Sequence, residues 1–122
     1  MITFSVIVST LNRSASLARL LTALRCQRHA PHEVIVVVGP CTDDTQQVLT
    51  KYRDYITIMH CETANISAAR NLGASIAAGD ILAFIDDDAV PEFDWLSELL
   101  TAPLGPPRWP LIKNVAGCRP NW

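Results

Sequence analysis

The stretch Asp80–Asp88, Asp-Ile-Leu-Ala-Phe-Ile-Asp-Asp-Asp, decides the fold class of this chain. Residues 81–85 form a short continuous apolar run, which is typical of a parallel strand buried on both faces. Three consecutive carboxylates follow the run. Adjacent carboxylates repel one another, so they need solvent, a cation or a hydrogen-bond donor nearby. In an open α/β sheet, ligands bind at the carboxyl ends of the strands, which is where these acids would lie.

Strand-like and helix-like segments alternate along the rest of the chain. Runs rich in apolar or β-branched residues predict four strands, at 4–9, 34–38, 56–60 and 81–85. Apolar residues at helical spacing follow each run, at 17–24, 48–52, 68–78 and 95–100. This order predicts a parallel sheet with helices on both faces. We expect the first strand beside the fourth, with loops 10–13 and 86–88 facing each other across a cleft.

Several polar, glycine and proline residues mark predicted helix ends. Asn12 or Ser14 is the expected N-cap of the first helix, and Thr42 is the expected N-cap of the second. Asn65 begins the third helix, and Gly79 is expected to end it. A proline at position 91 predicts the start of the fourth helix.

The composition describes one globular domain with no strong electrostatic preference. The chain has 122 residues, 49% of them apolar, and a net charge of −2 at pH 7. This charge gives no general attraction to nucleic acid, so no nucleic-acid partner is expected. No signal peptide and no apolar run long enough to span a bilayer are evident, so we expect a cytoplasmic protein without a transmembrane segment. Peripheral membrane association is left open, and the four cysteines are expected to be reduced thiols.

The periodic patterns stop near residue 102. Prolines interrupt both helices and central strands, because they lack a backbone N–H group. We therefore predict a domain at residues 1–102 and a proline-rich irregular tail at 103–122. Five of the eight prolines lie in this tail: Pro103, Pro106, Pro107, Pro110 and Pro120.

The three acids at 86–88 suit a hard divalent cation. Mg²⁺ and Mn²⁺ prefer oxygen ligands, and a diphosphate commonly supplies those that the protein does not. The alternative for these acids is a solvated turn that caps the following helix. Thr10 and Asn12 can likewise be ordinary helix caps, and Arg70 can pair with a surface acid.

Four blocks of sequence resemble the nucleotide-binding half of family 2 glycosyltransferases. They are residues 4–13 (FSVIVSTLNR), 34–45 (VIVVVGPCTDDT), 65–73 (NISAARNLG) and 80–88 (DILAFIDDD), and Pro91 and Trp95 follow the last. The blocks stand in the family's order and spacing, and together they extend over about residues 3–100. The resemblance implies a Rossmann-like GT-A nucleotide-diphospho-sugar transferase fold. It also implies transfer of a sugar from a nucleoside-diphosphate sugar.

The resemblance implies roles for individual residues. Asp88 is the expected metal ligand that joins Mn²⁺ or Mg²⁺ to the diphosphate. Asp86 is expected to hold the ribose or to assist the metal, and Asp87 is placed with it among the donor-binding residues. Four further residues are expected to bind the base, ribose or diphosphate: Thr10, Asn12, Arg13 and Arg70.

The implied donor is most commonly a UDP-sugar, and the acceptor is a glycan, a lipid or a protein. Two departures from the family pattern bear on this expectation. Val38 and Gly39 stand where the family usually carries two aspartates that bind the base or ribose. The family's second half, which supplies the acceptor pocket and any catalytic base, is not recognisable, so we expect a truncated form of the fold.

Other functions remain as alternatives at this point. The main alternative is a catalytically silent fragment that at most binds nucleotide or a partner chain. A phospho-acceptor receiver domain fits less well, because its acids would follow the first and third strands. A dinucleotide-binding Rossmann unit also fits less well, because no GxGxxG pattern follows the first strand.

Overall fold

The fold is an alternating series of strands and helices. The computed structural model describes residues 2–101 and 114–117. In chain order the elements are β1 (Phe4–Thr10), α1 (Ser14–Arg25), β2 (Glu33–Val38), α2 (Thr45–Tyr52), β3 (Thr57–His60), α3 (Ile66–Ile76), β4 (Ile81–Asp86), α4 (Trp95–Thr101) and β5 (Asn114–Gly117). The predicted alternation is confirmed from β1 to α4. Within the described ranges, no helix has the length and apolarity needed to cross a membrane.

The strands form one parallel sheet in the order β3-β2-β1-β4-β5. β1 and β4 are neighbours, with Ser9 opposite Asp86, so the expected pairing of the first and fourth strands is confirmed. The chain runs outward from β1 to β3 and then crosses back to place β4 on the other side of β1. The carboxyl ends of β1 and β4 are therefore the topological switch point, where open α/β sheets bind ligands.

Helices cover both faces of the sheet, as predicted. All seven residues of β1 are buried, and successive side chains point to opposite faces. One face packs against α1, α2 and α4 through a cluster that includes Leu17, Leu49 and Leu96. The other face packs against α3 through a smaller cluster that includes Ile7 and Ala69. Burying each large aliphatic side chain contributes roughly 1.5–3 kcal/mol, so these two layers fix the strand ends in space.

A hydrogen-bond network fixes the amino-terminal ends of β1 and β2. The Ser5 hydroxyl donates to Glu33 Oε2 at 2.6 Å and accepts from the N–H of Gly79 at 2.7 Å. The N–H of Ala78 donates to the same Glu33 oxygen at 2.5 Å. Burial acts to raise the pKa of Glu33, but these hydrogen bonds and the charge of His32 outweigh it and lower the pKa below its ordinary value. The network holds the α3–β4 connection against β1 and β2.

The predicted start of α3 is confirmed, and that of α2 is wrong. The Asn65 side chain accepts from the N–H of Ala68 at 3.1 Å and caps α3. Thr42 does not cap α2, which begins three residues later at Thr45. The Asp43 carboxylate accepts from the N–H of Thr45 at 3.0 Å, so a different side chain satisfies the first turn.

The glycine expected to end α3 has another role. α3 ends at Ile76, and the cap residue Ala77 has extended backbone, with φ −67° and ψ 132°. Gly79 does not adopt the left-handed conformation of a C′ residue. A Cβ atom at Gly79 would lie 2.7 Å from the backbone nitrogen of Ser5, so close approach to β1 requires glycine here.

α4 begins at Trp95, four residues after the expected start at Pro91. Gln27, which is buried just after α1, donates to the carbonyl of Glu92 at 2.6 Å and accepts from the N–H of Leu96 at 3.1 Å. The Gln27 side chain therefore satisfies one of the N–H groups that the first turn of a helix leaves unpaired. The helix starts where this side chain reaches it.

Part of the predicted irregular tail is a strand. β5 pairs with β4, with Val115 opposite Leu82, so the description of 103–122 as irregular is wrong for Asn114–Gly117. The edge of β4 carries backbone donors and acceptors that need partners, and a four-residue strand is too short to show a period in sequence. The division of the chain at residue 102 stays a prediction. Cys118 and the five tail prolines lie outside the described residues.

Candidate active site

The candidate site is the cleft at the carboxyl ends of β1 and β4. Thr10 is the last residue of β1 and Asp86 is the last residue of β4. The next two acids lie in the turn after β4, and they differ sharply in exposure. The side chain of Asp87 is 0% exposed, whereas that of Asp88 is 46% exposed. The three acids therefore have three environments, which the sequence pattern alone does not distinguish.

Arg13 joins the two loops across the cleft. Its Nη1 atom lies 3.5 Å from Asp87 Oδ1 and 3.2 Å from Asp88 Oδ2. The expectation that loops 10–13 and 86–88 face each other is therefore correct. The alternative that the three acids cap the following helix is wrong, because the side chain at the start of α4 is Gln27.

The loop after β1 is braced by Asn12 in a left-handed conformation, with φ 53°. Its Oδ1 atom accepts from the backbone N–H of Thr42 at 2.7 Å and of Asp43 at 3.3 Å. Its own N–H donates to the Cys41 sulfur at 3.3 Å. Asn12 therefore caps the loop after β2 rather than α1, whose N-cap residue Arg13 makes no side-chain cap bond. Asparagine tolerates this φ better than other non-glycine residues.

The pKa values of Asp86, at the end of β4, and of Asp87, in the turn that follows, are shifted. Burial raises the pKa of Asp87, and the Thr10 hydroxyl, the Arg13 charge and the Leu11 N–H only partly oppose that rise. Burial also raises the pKa of Asp86, and the negative charge of Asp88 adds to the rise. A cation arriving in the cleft would oppose both effects, because it stabilises the ionised carboxylates.

Arg70 lies on the α3 side of the same cleft. The carbon of its guanidinium group is 5.3 Å from the centroid of the Phe84 ring on β4. This distance is within the range of a cation–π contact. Its positive charge partly opposes the rise that burial causes in the pKa of Asp86. The structure thus brings the predicted residues Arg70 and Asp86 near each other.

Described residues line two cavities at this end of the sheet. A cavity of about 470 Å³ is lined by Asn12, Arg13, Ser14, Ala15, Ser16, Asp43 and Asp88. A second, of about 290 Å³, lies beyond β2 and β3 and is lined by Val38, Gly39, Pro40, Cys41, Asp43, Thr45, Gln46, His60, Cys61 and Glu62.

Asp43, which lines both cavities, is the site residue that the sequence reasoning missed. Its carboxylate also accepts from the N–H of Ser14 at 3.3 Å. The signal available in sequence was its place two residues before Thr45, where an aspartate commonly accepts from the backbone. The Thr45 hydroxyl is the main cause of a lowered pKa at Asp43, so this carboxylate is ionised at neutral pH.

The residues at the cleft fit a divalent cation that takes some ligands from the protein and the others from a phosphate. No cluster of three or more His, Cys, Asp or Glu side chains that could hold a metal ion occurs in the described part of the chain. Asp88 nevertheless presents an exposed carboxylate to the larger cavity. Mg²⁺ sites of nucleotide enzymes typically use one or two carboxylates, with substrate phosphates as the other ligands.

Comparison with known proteins agrees with this geometry. The profile of Glycosyl transferase family 2 matches residues 5–104. The chain belongs to this family. It is 34% identical over 120 residues to a validoxylamine A glucosyltransferase of Streptomyces hygroscopicus subsp. limoneus. It is 33% identical over 101 residues to a glucosyl-dolichyl phosphate glucuronosyltransferase of Haloferax volcanii.

The family member described here corresponds to one part of these relatives. The two alignments cover 93% and 79% of this chain, but 26% and 32% of the relatives. The chain therefore spans about a quarter to a third of their length.

Solved structures share the fold. S. aureus TarS 1–349 in complex with UDP-GlcNAc superposes with a TM-score of 0.73 at 31% identity, over 81% of this chain and 30% of TarS. The mannosyltransferase PcManGT from Pyrobaculum calidifontis, in complex with GDP-Man and Mn²⁺, superposes with a TM-score of 0.69 at 24% identity. That alignment covers 84% of this chain and 33% of PcManGT, and it concerns the fold alone. The expected GT-A fold is confirmed.

Proposed function

We propose that this chain is the nucleotide-sugar-binding part of a glycosyltransferase that transfers a sugar from a nucleoside-diphosphate sugar to a glycan, lipid or protein acceptor. Membership of the family supports the reaction class. The observation that carries the proposal is the meeting of loops 10–13 and 86–88 at the switch point, with Arg13 Nη1 3.2 Å from Asp88 Oδ2. A guanidinium group beside an exposed carboxylate can receive a diphosphate together with its cation.

The proposed cation is Mn²⁺ or Mg²⁺, held by Asp88 with help from Asp86. When bound, it stabilises the negative charge that develops on the departing diphosphate. Asp88 is the proposed main ligand because its side chain is the more exposed of the two acids that follow β4. Asp86, at the end of the strand, is proposed to orient the ribose or to complete the cation site.

The proposed nucleotide contacts come from both sides of the cleft. Thr10, Asn12 and Arg13 belong to the β1 side, and Arg70 belongs to the α3 side. The proposed donor is a UDP-sugar, because the neighbour TarS, at 31% identity, is known in complex with UDP and with UDP-GlcNAc.

The test is calorimetric titration of UDP, GDP and dTDP into the 122-residue chain, with Mn²⁺ and with EDTA. We expect UDP to bind in the presence of Mn²⁺ and to lose about tenfold or more in affinity in Asp88→Ala, because a lost metal–phosphate bridge removes a charge-assisted interaction. Asp54→Ala is the matched control, since Asp54 is exposed and lies in the turn between α2 and β3. UDP binding that depends neither on Mn²⁺ nor on Asp88 would contradict the proposed donor site.

A second measurement separates a working transferase from a fragment that only binds nucleotide. UDP release from UDP-GlcNAc and UDP-glucose is followed in the presence of Mn²⁺. Release that is abolished in Asp88→Ala supports a catalytic chain. Metal-dependent UDP binding without any release supports the silent alternative.

A further inference from the structure

Arg13 lies beside Asp88, the exposed acid that is proposed to bind the cation. One nitrogen, Nη1, contacts both Asp87 Oδ1 at 3.5 Å and Asp88 Oδ2 at 3.2 Å. The two contacts differ in kind, because the Asp87 side chain is fully buried and the Asp88 side chain is nearly half exposed. A buried ion pair is screened less by solvent than an exposed one, so Asp87 is the stronger anchor for Arg13.

The backbone around Arg13 is held firmly while its side chain reaches into the cleft. The Arg13 carbonyl accepts the first helical hydrogen bond of α1, from the N–H of Leu17 at 2.9 Å. The preceding residue, Asn12, is fixed by its hydrogen bonds to the loop after β2. The Arg13 side chain is 36% exposed, so its guanidinium group can change partner by side-chain rotation without moving the backbone.

We propose that Arg13 is a latch on the metal ligand: it pairs with Asp88 in the ligand-free chain and releases Asp88 when a nucleotide diphosphate takes over the guanidinium group. This inference rests on the proposed function, in which Asp88 binds the cation. The carboxylate of Asp88 cannot serve a guanidinium group and a divalent cation equally well, because the two positive groups repel each other. A diphosphate offers the guanidinium group a paired acceptor at least as good as the carboxylate. Asp87 keeps Arg13 at the cleft during the exchange.

The latch couples the two ligands. Without diphosphate, the cation competes with Arg13 for Asp88 and binds weakly. With diphosphate present, Arg13 leaves Asp88 and the carboxylate becomes available to the cation. By linkage, the cation must then favour diphosphate binding by the same factor. Arg13 is therefore a positioning residue, which acts on the cation through Asp88.

The test measures Mn²⁺ alone by the electron paramagnetic resonance signal of the free ion, in the full 122-residue chain. Arg13→Gln removes the latch, and we expect it to bind Mn²⁺ about threefold to tenfold more tightly than the wild type. Arg13→Lys keeps the charge, and we expect its affinity for Mn²⁺ to stay within about twofold of wild type, although it loses the planar fork. Arg19→Gln is the matched control: it makes the same change of net charge at an exposed position on α1, and we expect no change.

A second arm titrates UDP in EDTA. Removing the latch is expected to weaken UDP about threefold to tenfold, because the diphosphate loses its guanidinium partner. The opposite changes for Mn²⁺ and UDP, both absent in Arg19→Gln, are the signature of the latch. An Arg13→Gln chain that binds Mn²⁺ no more tightly than wild type overturns it.

Asp88→Ala separates the latch from the function on which it rests. If this variant loses Mn²⁺ binding while Arg13→Gln leaves it unchanged, the proposed site stands and the latch is refuted. If Asp88→Ala binds Mn²⁺ as the wild type does, Asp88 is not the ligand, and both the metal assignment and the latch fail.

Discussion

The contact between α3 and the sheet offers a sharp test of how tightly the site is supported. Gly73 is buried in the middle of α3. A Cβ atom added there would lie 2.6 Å from Ile7 Cγ2 and 3.3 Å from Val37 Cγ2. Carbon atoms in favourable contact lie about 3.5–4.0 Å apart, so Gly73→Ala forces a displacement of about 1 Å. Ile7 lies on the central strand β1, where it has little room to yield.

Two opposing terms decide the sign of the change in stability. Replacing a helical glycine by alanine stabilises a helix by about 1 kcal/mol. Overpacking a well-filled core destabilises by about 1–3 kcal/mol. We therefore expect Gly73→Ala to lower the free energy of unfolding by about 1 kcal/mol, which corresponds to a fall of about 4 °C in Tm for a domain of this size.

The assay is urea unfolding followed by far-ultraviolet circular dichroism. Asn71→Ala is the control, because Asn71 is exposed two residues earlier on α3 and reports the helix term alone. It is expected to stabilise by up to about 0.7 kcal/mol. A double-mutant cycle with Ile7→Ala should show that Gly73→Ala is no longer destabilising once the clashing methyl is gone. If Gly73→Ala raises stability in the wild-type background, the close packing of α3 on β1 is refuted.

Three further predictions follow from hydrogen bonds that position the loops. Gln27→Ala should lower the free energy of unfolding by about 1–3 kcal/mol in urea titrations, because it leaves the buried N–H of Leu96 without its acceptor; a change below the error of the titration would contradict this role. The lowered pKa of Glu33 contributes stability that is present above pH 4.5, the ordinary value, and is lost as pH falls toward the folded-state pKa. The stability gap between wild type and Glu33→Gln, measured by urea unfolding across pH, should therefore narrow below pH 4.5, and a constant gap would refute the assignment. Asn12→Ala should unfold more easily than Asn12→Gly by about 1 kcal/mol, since both lose the loop bonds but only glycine accepts φ 53° without strain; equal thermal stabilities would contradict this.

The sequence predicted the fold well because burial patterns are local and strong. The apolar runs of β1, β2 and β4 are continuous, and such runs indicate parallel strands that are buried on both faces. The adjacency of β1 and β4, and hence the position of the cleft, was an expectation for an open α/β sheet, and the structure confirms it. The helix starts at Thr45 and Trp95 were missed because side chains outside the two helices, Asp43 and Gln27, accept from their first turns. Gln27, for example, is 69 residues from the N–H that it accepts.

The meeting of loops 10–13 and 86–88 was predicted, but the electrostatics of the candidate site were not. Asp86, Asp87 and Asp88 are chemically identical in sequence, and only the path of the turn after β4 buries the middle acid and exposes the last. The pairing of Arg13 with two of them likewise depends on the left-handed Asn12, a conformation that asparagine permits but does not enforce. Exposure and pairing are properties of the folded loops, so no residue pattern could supply them.

The buried polar residues at the carboxyl ends of the central strands indicate that this region serves function rather than stability. Ser9, Thr10 and Asp87 are all buried at the point where an apolar cluster would stabilise the fold more. Removing a carboxylate from water is costly even with a guanidinium partner, and replacing a buried ion pair by apolar residues often stabilises a protein. A chain selected for stability alone would not need Asp87. Its burial holds Arg13 at the edge of the cleft, so the stability given up there is used to position a cationic side chain beside the exposed acid that is proposed to bind the metal.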